Sequence, residues 1–250
     1  MDAAAILSRY DAEIRADPPA EQGVELVWVD GVLRKTGAYN FIGWWDFPAD
    51  RCEAIAAREA AHFAGREVEW KVYGHDGPPG LEAALDAAGF AADDFETFLV
   101  LDLEAVTPPY DPPTGLEVRQ VRDERGAADL VEVSNAAFDR EEPWRLAQLI
   151  ERLSDPTQAL FVAYDHGRPI SSGRLELAPG KAFAGLYGGG TVPDSQGRGA
   201  YRALVAARAA EARRRGHRFL TVDARETSRP ILERLGFRAL DRIRGWNLTR

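Results

Sequence analysis

The sequence contains a single cysteine, Cys52, among 250 residues. One cysteine excludes a disulfide within the chain and a metal site built from several cysteines. No apolar run approaches the roughly 20 residues that a membrane-spanning helix needs. The first residues also lack the basic segment and the long apolar stretch of a secretory signal. We therefore expect a cytoplasmic protein with no membrane partner.

Basic residues are the scarcer charge type, with 31 Lys and Arg against 40 Asp and Glu and a formal net charge of −9. Nucleic-acid binding depends on clustered positive charge, so we expect no nucleic-acid partner. The charge is uneven, because 14 arginines and 6 acidic residues follow from Thr191 to the C-terminus, a net charge of +8. A basic segment in an acidic protein favours a small polyanionic ligand. Arginine as the default cation of this chain explains the same pattern.

The stretch 107–115 contains four prolines in nine residues. Proline has no amide proton for a helix or ladder bond, and it favours extended polyproline geometry. We therefore predict a linker at 107–115, between an N-terminal domain at 1–106 and a C-terminal domain at 116–250.

Apolar periodicity and turn residues predict helices and strands in both halves of the chain. The predicted helices cover residues 2–17, 48–64, 81–88, 125–137, 144–153, 198–215 and 228–235. The predicted strands cover residues 24–29, 39–47, 68–73, 97–103, 116–121, 159–164, 170–177, 183–192, 219–222, 238–243 and 246–249. A strand, a crossover helix and a further strand make a βαβ unit, whose strands should be parallel.

The two halves also share a weak internal repeat. Lys71–Phe90 and Arg218–Phe237 have the same length, and each ends in a predicted helix, a glycine and a phenylalanine. At this offset of 147 residues, the segment 49–54 aligns with the segment 196–201 but contains no glycine. If the repeat is real, the first copy has lost the function of the second copy's loop. The alternative is that the similarity between the two segments is a coincidence.

The loop 196–201, QGRGAY, lies between a predicted strand and the longest predicted helix after the linker. The first backbone amides of a helix have no partner within it, and the helix dipole adds partial positive charge there. Gly197 and Gly199 would leave those amides open to an anion, which makes the loop a candidate phosphate cradle. Arg198 and Arg202 would add charge-assisted contacts. An ordinary tight strand-to-helix turn is the alternative.

Two other phosphate loops are excluded by the residues present. A nucleotide-hydrolase P-loop needs Gly-Lys-Ser/Thr, whereas Tyr201 and Arg202 follow the glycines here. The dinucleotide fingerprint needs a third glycine, and that position holds Pro193 in one register and Arg202 in the other.

In its wider context, the segment Val192–Leu204 resembles the acyl-CoA loop of the GNAT superfamily, whose pattern is Arg/Gln-x-x-Gly-x-Gly/Ala. The segment Ser228–Phe237 resembles the second GNAT signature, a helix ending in Leu-Gly-Phe. The resemblance covers Leu116 to Arg250, and the N-terminal half resembles a degenerate repeat of the kind found in tandem GNAT proteins. It implies an α/β (α+β) fold of two tandem GNAT-like domains. Each would have a mixed, mostly antiparallel sheet with helices on both faces, and a parallel βαβ unit would lie at the acyl-CoA site.

The resemblance further implies a site for acetyl-CoA, and no metal. The backbone at the end of strand 183–192 would pair with the pantetheine arm, and an amide there would stabilise the developing oxyanion. The loop would bind the diphosphate, and Ser228 would cap its helix or lie beside the pantetheine. The residues expected to bind the donor are Gly189, Gly190, Thr191, Val192, Gln196, Gly197, Arg198, Gly199, Ala200, Tyr201, Arg202 and Ser228.

The sequence departs from the GNAT pattern at two positions. Tyr201 replaces the small last residue of the loop, where it would narrow the cradle or pack under it. Leu232 stands where GNAT enzymes often have a tyrosine general acid. Leucine has no proton to donate to the leaving thiolate, so both a reaction that uses another donor and a loss of activity agree with the sequence.

No catalytic residue is assigned from the sequence, because the strand 183–192 has no carboxylate that would deprotonate the attacking amine. The nearby candidates are Glu176, Asp139, Glu141 and Glu142, and a solvated surface role competes for each. The four histidines show no spacing typical of metal ligands, although His75 is adjacent to Asp76. The tryptophans of the first half are expected mainly in a sheet core.

The leading hypothesis is an acetyl-CoA-dependent N-acetyltransferase that acts on a primary amine of a small molecule or peptide, by direct attack in a ternary complex. A non-catalytic acyl-CoA sensor or partner-binding module is the alternative, motivated by Leu232 and the missing strand carboxylate. A third hypothesis is tandem-GNAT peptide-bond chemistry, such as mycothiol synthesis or aminoacyl transfer from tRNA. The sequence is compatible with a monomer or a homodimer.

Overall fold

A computed structural model of the chain describes residues 2–108, 113–142 and 144–249. Part of the predicted linker, residues 109–112, lies outside the described residues. The helices are α1 (Ala3–Tyr10), α2 (Cys52–His62), α3 (Leu81–Ala87), α4 (Glu124–Phe138), α5 (Arg145–Glu151), α6 (Ala200–Arg214) and α7 (Arg229–Arg234). The strands are β1 (Val24–Val29), β2 (Val32–Gly37), β3 (Phe41–Trp45), β4 (Val68–Tyr73), β5 (Ala91–Ala92), β6 (Glu96–Asp102), β7 (Leu116–Gln120), β8 (Gln158–Asp165), β9 (Arg168–Leu177), β10 (Phe183–Thr191), β11 (Phe219–Ala224) and β12 (Arg238–Leu248).

Most predicted elements are present, but β2 was missed and the C-terminal strands were wrongly divided. Strand β2 follows β1 through a turn at Asp30 and Gly31, whose φ angles are 45° and 83°. An Asp-Gly pair with two left-handed residues is typical of a two-residue hairpin, so the turn was readable from the sequence. The two strands predicted at 238–243 and 246–249 form the single strand β12. Gly245 lies in extended pairing with Lys71 and does not interrupt the strand.

The described residues divide into two compact units. The first unit contains the described residues within 1–98, 223–227 and 239–250. The second unit contains the described residues within 99–222 and 228–238. Two short C-terminal segments therefore belong with the N-terminal unit. A division of the chain into domains 1–106 and 116–250 stays a prediction.

The first unit contains strands in the order β1-β2-β3-β4-β12, with β5 beside β12. Strands β3 and β4 are parallel and are joined by α2, while the other pairs are antiparallel. Trp45 and Trp70 are buried in its core, as expected, but Trp28 is 54% exposed on β1. The core includes Ile42, Trp45, Phe63, Trp70, Leu85, Phe90 and Trp246.

The second unit contains strands in the order β7-β8-β9-β10-β11. Strands β10 and β11 are parallel and joined by α6, whereas the other pairs are antiparallel. A side chain at Gly189 would meet Tyr201 and Arg208 of α6, and one at Gly190 would meet Phe138 of α4. Because consecutive strand residues point to opposite faces, α4 and α6 cover opposite faces of this sheet. The mixed α/β architecture with a parallel βαβ unit is confirmed.

The repeat at an offset of 147 residues has the same local structure in both copies. Helices α3 and α7 are each followed by a left-handed glycine, Gly89 at φ 93° and Gly236 at φ 96°. The buried residues Leu85 and Leu232 each accept a hydrogen bond from the phenylalanine amide five residues later, at 3.0 and 3.1 Å. The weak sequence similarity thus corresponds to a shared helix ending. Among the described residues, no helix is both long and apolar enough to span a membrane.

Candidate functional site

Strand β10 separates from β11 after only three residues. The two strands pair over Phe183–Gly185 and Phe219–Thr221, and β10 then continues to Thr191. A bulge lies between Tyr187 and Gly190. In the described part of the chain, the second half of β10 is paired with β9 alone. The predicted donor-binding residues at 189–191 therefore lie on a part of β10 whose other side has no strand partner among the described residues.

Three hydrogen bonds hold the end of β10 against β9. The Ser171 hydroxyl donates to the Gly190 carbonyl at 2.6 Å and lies 2.8 Å from the hydroxyl oxygen of Thr191. The Val192 amide donates to the Ile170 carbonyl at 2.9 Å. The open edge is consequently anchored to β9 at its C-terminal end.

The loop after β10 has the backbone that only glycine adopts easily. Gly197 has φ 76° and Gly199 has φ 90°, both in the left-handed region. Apart from its chain neighbours, no described residue lies within 4 Å of the position that a β-carbon of Gly197 would take. Helix α6 begins at Ala200, and the Ala203 amide donates to the Gly199 carbonyl at 3.0 Å. The amides before Ala203 have no acceptor within the helix, so they are available at its start.

The two arginines predicted beside this loop differ in their partners. Arg198 forms an ion pair with Asp165, at 2.5 Å between Nη2 and Oδ2. Arg202 is exposed, and its Nη2 lies 3.5 Å from the β-carbon position of Gly199. Within the part of the chain that the structure describes, no carboxylate pairs with Arg202. The free positive charge at the helix start is therefore that of Arg202.

Tyr201 packs under the end of β10. Its Cε2 lies 3.0 Å from the β-carbon position of Gly189, so a side chain there would displace the ring. Its hydroxyl is hydrogen-bonded to that of Ser228, at the start of α7. Burial raises the pKa of Tyr201, while the hydrogen bond and the nearby Arg208 cation oppose the increase. Of the two placements expected for Tyr201, the structure has the packed one.

The predicted helix-capping role of Ser228 is wrong, because its side chain makes no capping hydrogen bond. A capping side chain accepts from the second or third amide of the helix. The second position is Pro230, which has no amide proton, and the Ile231 amide already donates to the Ser228 carbonyl at 3.0 Å. The Ser228 hydroxyl is therefore directed to Tyr201 instead.

Arg208 is a residue of this region that the sequence analysis missed. It is 1% exposed, and it donates from Nε to the Leu204 carbonyl at 3.1 Å and from Nη1 to the Arg174 carbonyl at 3.2 Å. Its Nη2 has no partner among the described residues and lies 3.3 Å from the β-carbon position of Gly189. Burial lowers the pKa of Arg208 to about 10, which still leaves it charged at neutral pH. The sequence did contain an indication, since an arginine seven residues after Tyr201 falls on the same helix face.

Two of the four candidate general bases are held in ion pairs. Glu176 lies opposite Gly185 on β9 and is paired with Arg174 at 2.7 Å. Glu142 is paired with Arg145 at 2.9 Å. Of these two, only Glu176 is on a strand that pairs with β10.

The other two candidates lie around the end of α4. Asp139 ends that helix with φ 51°, and Glu141 is exposed in the segment that follows. Leu232, at the position where a tyrosine was noted as absent, is completely buried.

Among the described residues, no cluster of His, Cys, Asp and Glu has the arrangement of a metal site. His75 does interact with carboxylates, but Asp76 is 4.0 Å away. Its ring nitrogens instead contact Asp11, at 2.8 Å, and Asp241. Hydrogen bonds to these two carboxylates raise the pKa of His75 to about 9.

The model of the family described as "Acetyltransferase (GNAT) domain" matches residues 127–245. The match contains the open edge of β10, the glycine loop and α6. A search of curated proteins found no match to the chain.

Several solved structures share the fold. A GCN5-related N-acetyltransferase from Kribbella flavida has a TM-score of 0.69 and 14% identity, over 99% of this chain and 95% of that one. A tandem GNAT protein from the clavulanic acid biosynthesis pathway has a TM-score of 0.64 and 17% identity, over 98% and 93%. A GCN5-related N-acetyltransferase from Sphaerobacter thermophilus has a TM-score of 0.62 and 17% identity, over 98% and 91%. At these identities the similarity shows the fold.

Proposed function

Residues 127–245 are a GNAT acetyltransferase domain, and we infer that the chain is an acyltransferase of the GNAT type. From that premise we propose that it transfers acetyl from acetyl-CoA to a primary amine of a small molecule or peptide. The observation that carries the proposal is the early separation of β10 from β11. It leaves a fixed strand edge that leads directly into a helix start with free amides. An extended amide chain followed by a diphosphate is the ligand that matches these two features in this order.

The residues divide between the two parts of the donor. The backbone of Gly189 to Val192 would pair with the pantetheine amides in the way that a strand adds to a sheet edge. The amides from Gly197 to Arg202 would bind the diphosphate, together with the Arg202 guanidinium. Gln196 supports the loop, because its side-chain amide lies 3.4 Å from the Thr191 carbonyl. Ser228 would line the same groove from α7.

The proposed reaction is a direct attack of the amine on the thioester within a ternary complex. A backbone amide at the bulge of β10 would polarise the thioester carbonyl and stabilise the oxyanion. Holding donor and amine together would supply most of the rate enhancement. No covalent acyl-enzyme step is included, because the only cysteine of the sequence, Cys52, lies on α2 and outside the proposed site.

Glu176 is the carboxylate that the proposal favours for accepting the proton of the amine. Its β9 position is directly opposite Gly185, the last residue of β10 that pairs with β11. The side chain is 44% exposed, which leaves room for a water molecule between it and an incoming amine. Glu176→Gln should lower kcat without changing the affinity for acetyl-CoA, whereas an unchanged kcat would remove Glu176 from this role.

The experiment that tests the function is thiol release from acetyl-CoA in the presence of a panel of primary amines. The panel includes diamines, amino sugars, amino acids and peptide N-termini. Turnover that requires one class of amine, with the acetylated product identified by mass spectrometry, supports the proposal. No turnover with any amine, despite saturable CoA binding, would instead favour a second candidate, a non-catalytic acyl-CoA sensor. The specific observation behind that candidate is the buried aliphatic Leu232 at the position of the usual general acid.

A further inference from the structure

The bulge in β10 places two residues of that strand against one residue of β9. Gly188 and Gly189 together lie opposite Gly173, because the pairing register shifts between Tyr187 and Gly190. Gly188 has φ 57°, a left-handed backbone that is typical of the first residue of such a bulge. The proposed function places the thioester carbonyl of the donor at this bulge. The side chains that pack against the bulge therefore lie next to the reacting group.

The guanidinium of Arg208, from α6, lies against the bulge in a gap that two glycines leave open. A β-carbon at Gly173 would come within 2.7 Å of Nη1 and 2.9 Å of Cζ of Arg208, too close for the two groups to coexist. A β-carbon at Gly189 would lie 3.3 Å from Nη2. The backbone of Gly173 is not left-handed, so its conformation does not require glycine. What requires glycine at this position is the space that Arg208 occupies.

Two carbonyl groups hold the Arg208 guanidinium in place, and one of its nitrogens is left over. Nε donates to the Leu204 carbonyl at 3.1 Å, and Nη1 donates to the Arg174 carbonyl at 3.2 Å. Nη2, on the side of Gly189, has no hydrogen-bond partner among the described residues. The residue is only 1% exposed, and no carboxylate of the described residues pairs with it. Arg208 is therefore a buried cation whose charge is not compensated, which is costly for a protein.

The place of this charge gives it an effect on the proposed reaction. A thioester oxygen that accepts a hydrogen bond from a bulge amide points toward β10, and therefore lies nearer to Arg208 than the carbonyl carbon does. Charges interact more strongly in a buried site than in water, because the effective dielectric constant is lower there. The cation thus favours any state in which negative charge moves from the carbonyl carbon to its oxygen.

On the basis of the proposed function, we propose that Arg208 is a positioning residue whose fixed positive charge, acting through the backbone of the β10 bulge, polarises the thioester carbonyl. As the amine nitrogen bonds to the carbonyl carbon, the π electron pair of the carbonyl moves onto its oxygen, next to this charge. The pair returns when the carbon–sulfur bond breaks and leaves its own electrons on sulfur. Arg208 keeps its protons throughout, so it adds no proton-transfer step to the reaction.

Infrared spectroscopy of bound acetyl-CoA measures this polarisation directly. With carbon-13 in the thioester carbonyl and no amine present, the C=O stretch should lie at a lower wavenumber in the wild type than in Arg208→Met. Methionine keeps much of the apolar length of the side chain but carries no charge. Arg208→Lys restores a cation and should recover part of the shift. The same wavenumber in the wild type and in Arg208→Met, both with acetyl-CoA bound, would overturn the inference.

Kinetics and binding on the same variants separate an effect on the reaction from an effect on affinity. We expect Arg208→Met to lower kcat at least about tenfold, less than the roughly 100- to 1,000-fold loss on removal of a direct oxyanion donor. Its Kd for CoA, which has no thioester carbonyl, should stay within about threefold of wild type. The control is Arg214→Met on the same helix, because Arg214 is 64% exposed and pairs with Glu211 at 2.6 Å. That variant should keep the wild-type kcat, and an equal kcat in Arg208→Met would refute the role of Arg208.

Gly173→Ala tests the same charge without changing Arg208, which matters if Arg208→Met does not fold. The new β-carbon would displace the guanidinium from the bulge, so kcat should fall and the C=O stretch should move to a higher wavenumber. Unchanged values of both in folded Gly173→Ala would contradict the inference and leave the proposed function intact. A folded wild-type protein that gives no saturable binding of acetyl-CoA would instead refute the proposed function itself.

Discussion

Arg15 and Asp76 form a two-bond ion pair in the first unit, with Nη1–Oδ1 and Nη2–Oδ2 distances of 2.8 and 2.7 Å. Their side chains are only 4% and 7% exposed. The pair fixes the π-helical segment that continues α1, Asp11–Arg15, to the loop after β4. The Arg15 guanidinium also lies 4.1 Å from the centre of the Tyr73 ring. The N-terminal segment is therefore held by contacts that water does not screen.

We expect Asp76→Asn to lower the free energy of unfolding by about 3–5 kcal/mol, because it leaves the Arg15 charge buried without its main partner. Urea denaturation followed by circular dichroism measures this change. Asp30→Asn is the matched control, since Asp30 is 53% exposed and pairs with Arg51 and Arg58 at the surface. That variant should change stability by at most about 1 kcal/mol. Equal losses in the two variants would contradict a special role for the buried pair.

His75 should make the stability of the protein depend on pH between about 6.5 and 9. Hydrogen bonds to Asp11 and Asp241 raise its folded pKa to about 9, above the value of about 6.5 for an unfolded histidine. A raised folded pKa contributes stability that is fully present below the unfolded pKa and is lost as the pH rises through the folded one.

The measurement is the unfolding free energy of wild type minus that of His75→Gln, taken at intervals from pH 6 to pH 9.5. Groups common to both proteins cancel in this difference. The difference should be largest near pH 6 and should decline toward pH 9. A difference that is constant over the range would show that His75 does not bind its proton more tightly in the folded state.

Gly199→Glu should reduce the affinity for acetyl-CoA by at least 100-fold. The new carboxylate would lie at the helix start, where the diphosphate is proposed to bind, and like charges repel. Gly199 has φ 90°, so the substitution also introduces backbone strain. Gly65→Glu controls for strain, because Gly65 has φ 74° in the first unit and open space around its β-carbon position. Calorimetry should show that Gly65→Glu binds acetyl-CoA with the wild-type affinity. Equal affinities of the two variants for acetyl-CoA would contradict the assignment of the loop as the diphosphate site.

Arg202→Gln should weaken acetyl-CoA binding by about tenfold, which corresponds to the loss of one charge-assisted hydrogen bond of about 1.5 kcal/mol. Arg198→Gln should have a smaller effect, since Arg198 is already paired with Asp165. The dissociation constants of the two variants for acetyl-CoA, measured at the same ionic strength, show which arginine contributes more to the affinity. A larger loss in Arg198→Gln would mean that the Asp165 pair opens when the donor binds.

The sequence was sufficient where local chemistry determines local structure. Gly197 and Gly199 both have the left-handed backbone that a glycine loop requires, and α6 begins directly after them. The helix, glycine and phenylalanine of the weak repeat have one conformation in both copies, because the glycine after each helix must adopt positive φ. Such features depend on a few neighbouring residues.

Features that depend on distant parts of the chain were not predictable in the same way. His75 contacts Asp241, which is 166 residues away, whereas its position in the sequence suggests a contact with its neighbour Asp76. The position of Ser228 before α7 predicts a helix cap, but its side chain is hydrogen-bonded to Tyr201, a contact that depends on the tertiary fold. The sequence does not distinguish Arg208 from the other arginines, because arginine is the common cation of this chain. Its burial is visible only from the residues that surround it in the fold.

The most direct test of the account is calorimetric titration of acetyl-CoA into the wild-type protein, with folding checked by circular dichroism. We predict a single saturable transition, with an affinity in roughly the 1 µM to 1 mM range of enzyme substrates. It should disappear in Gly199→Glu and persist in Gly65→Glu. A folded wild-type protein that gives no saturable heat with acetyl-CoA or with CoA would contradict the central claim that the open end of β10 and the start of α6 form the donor site.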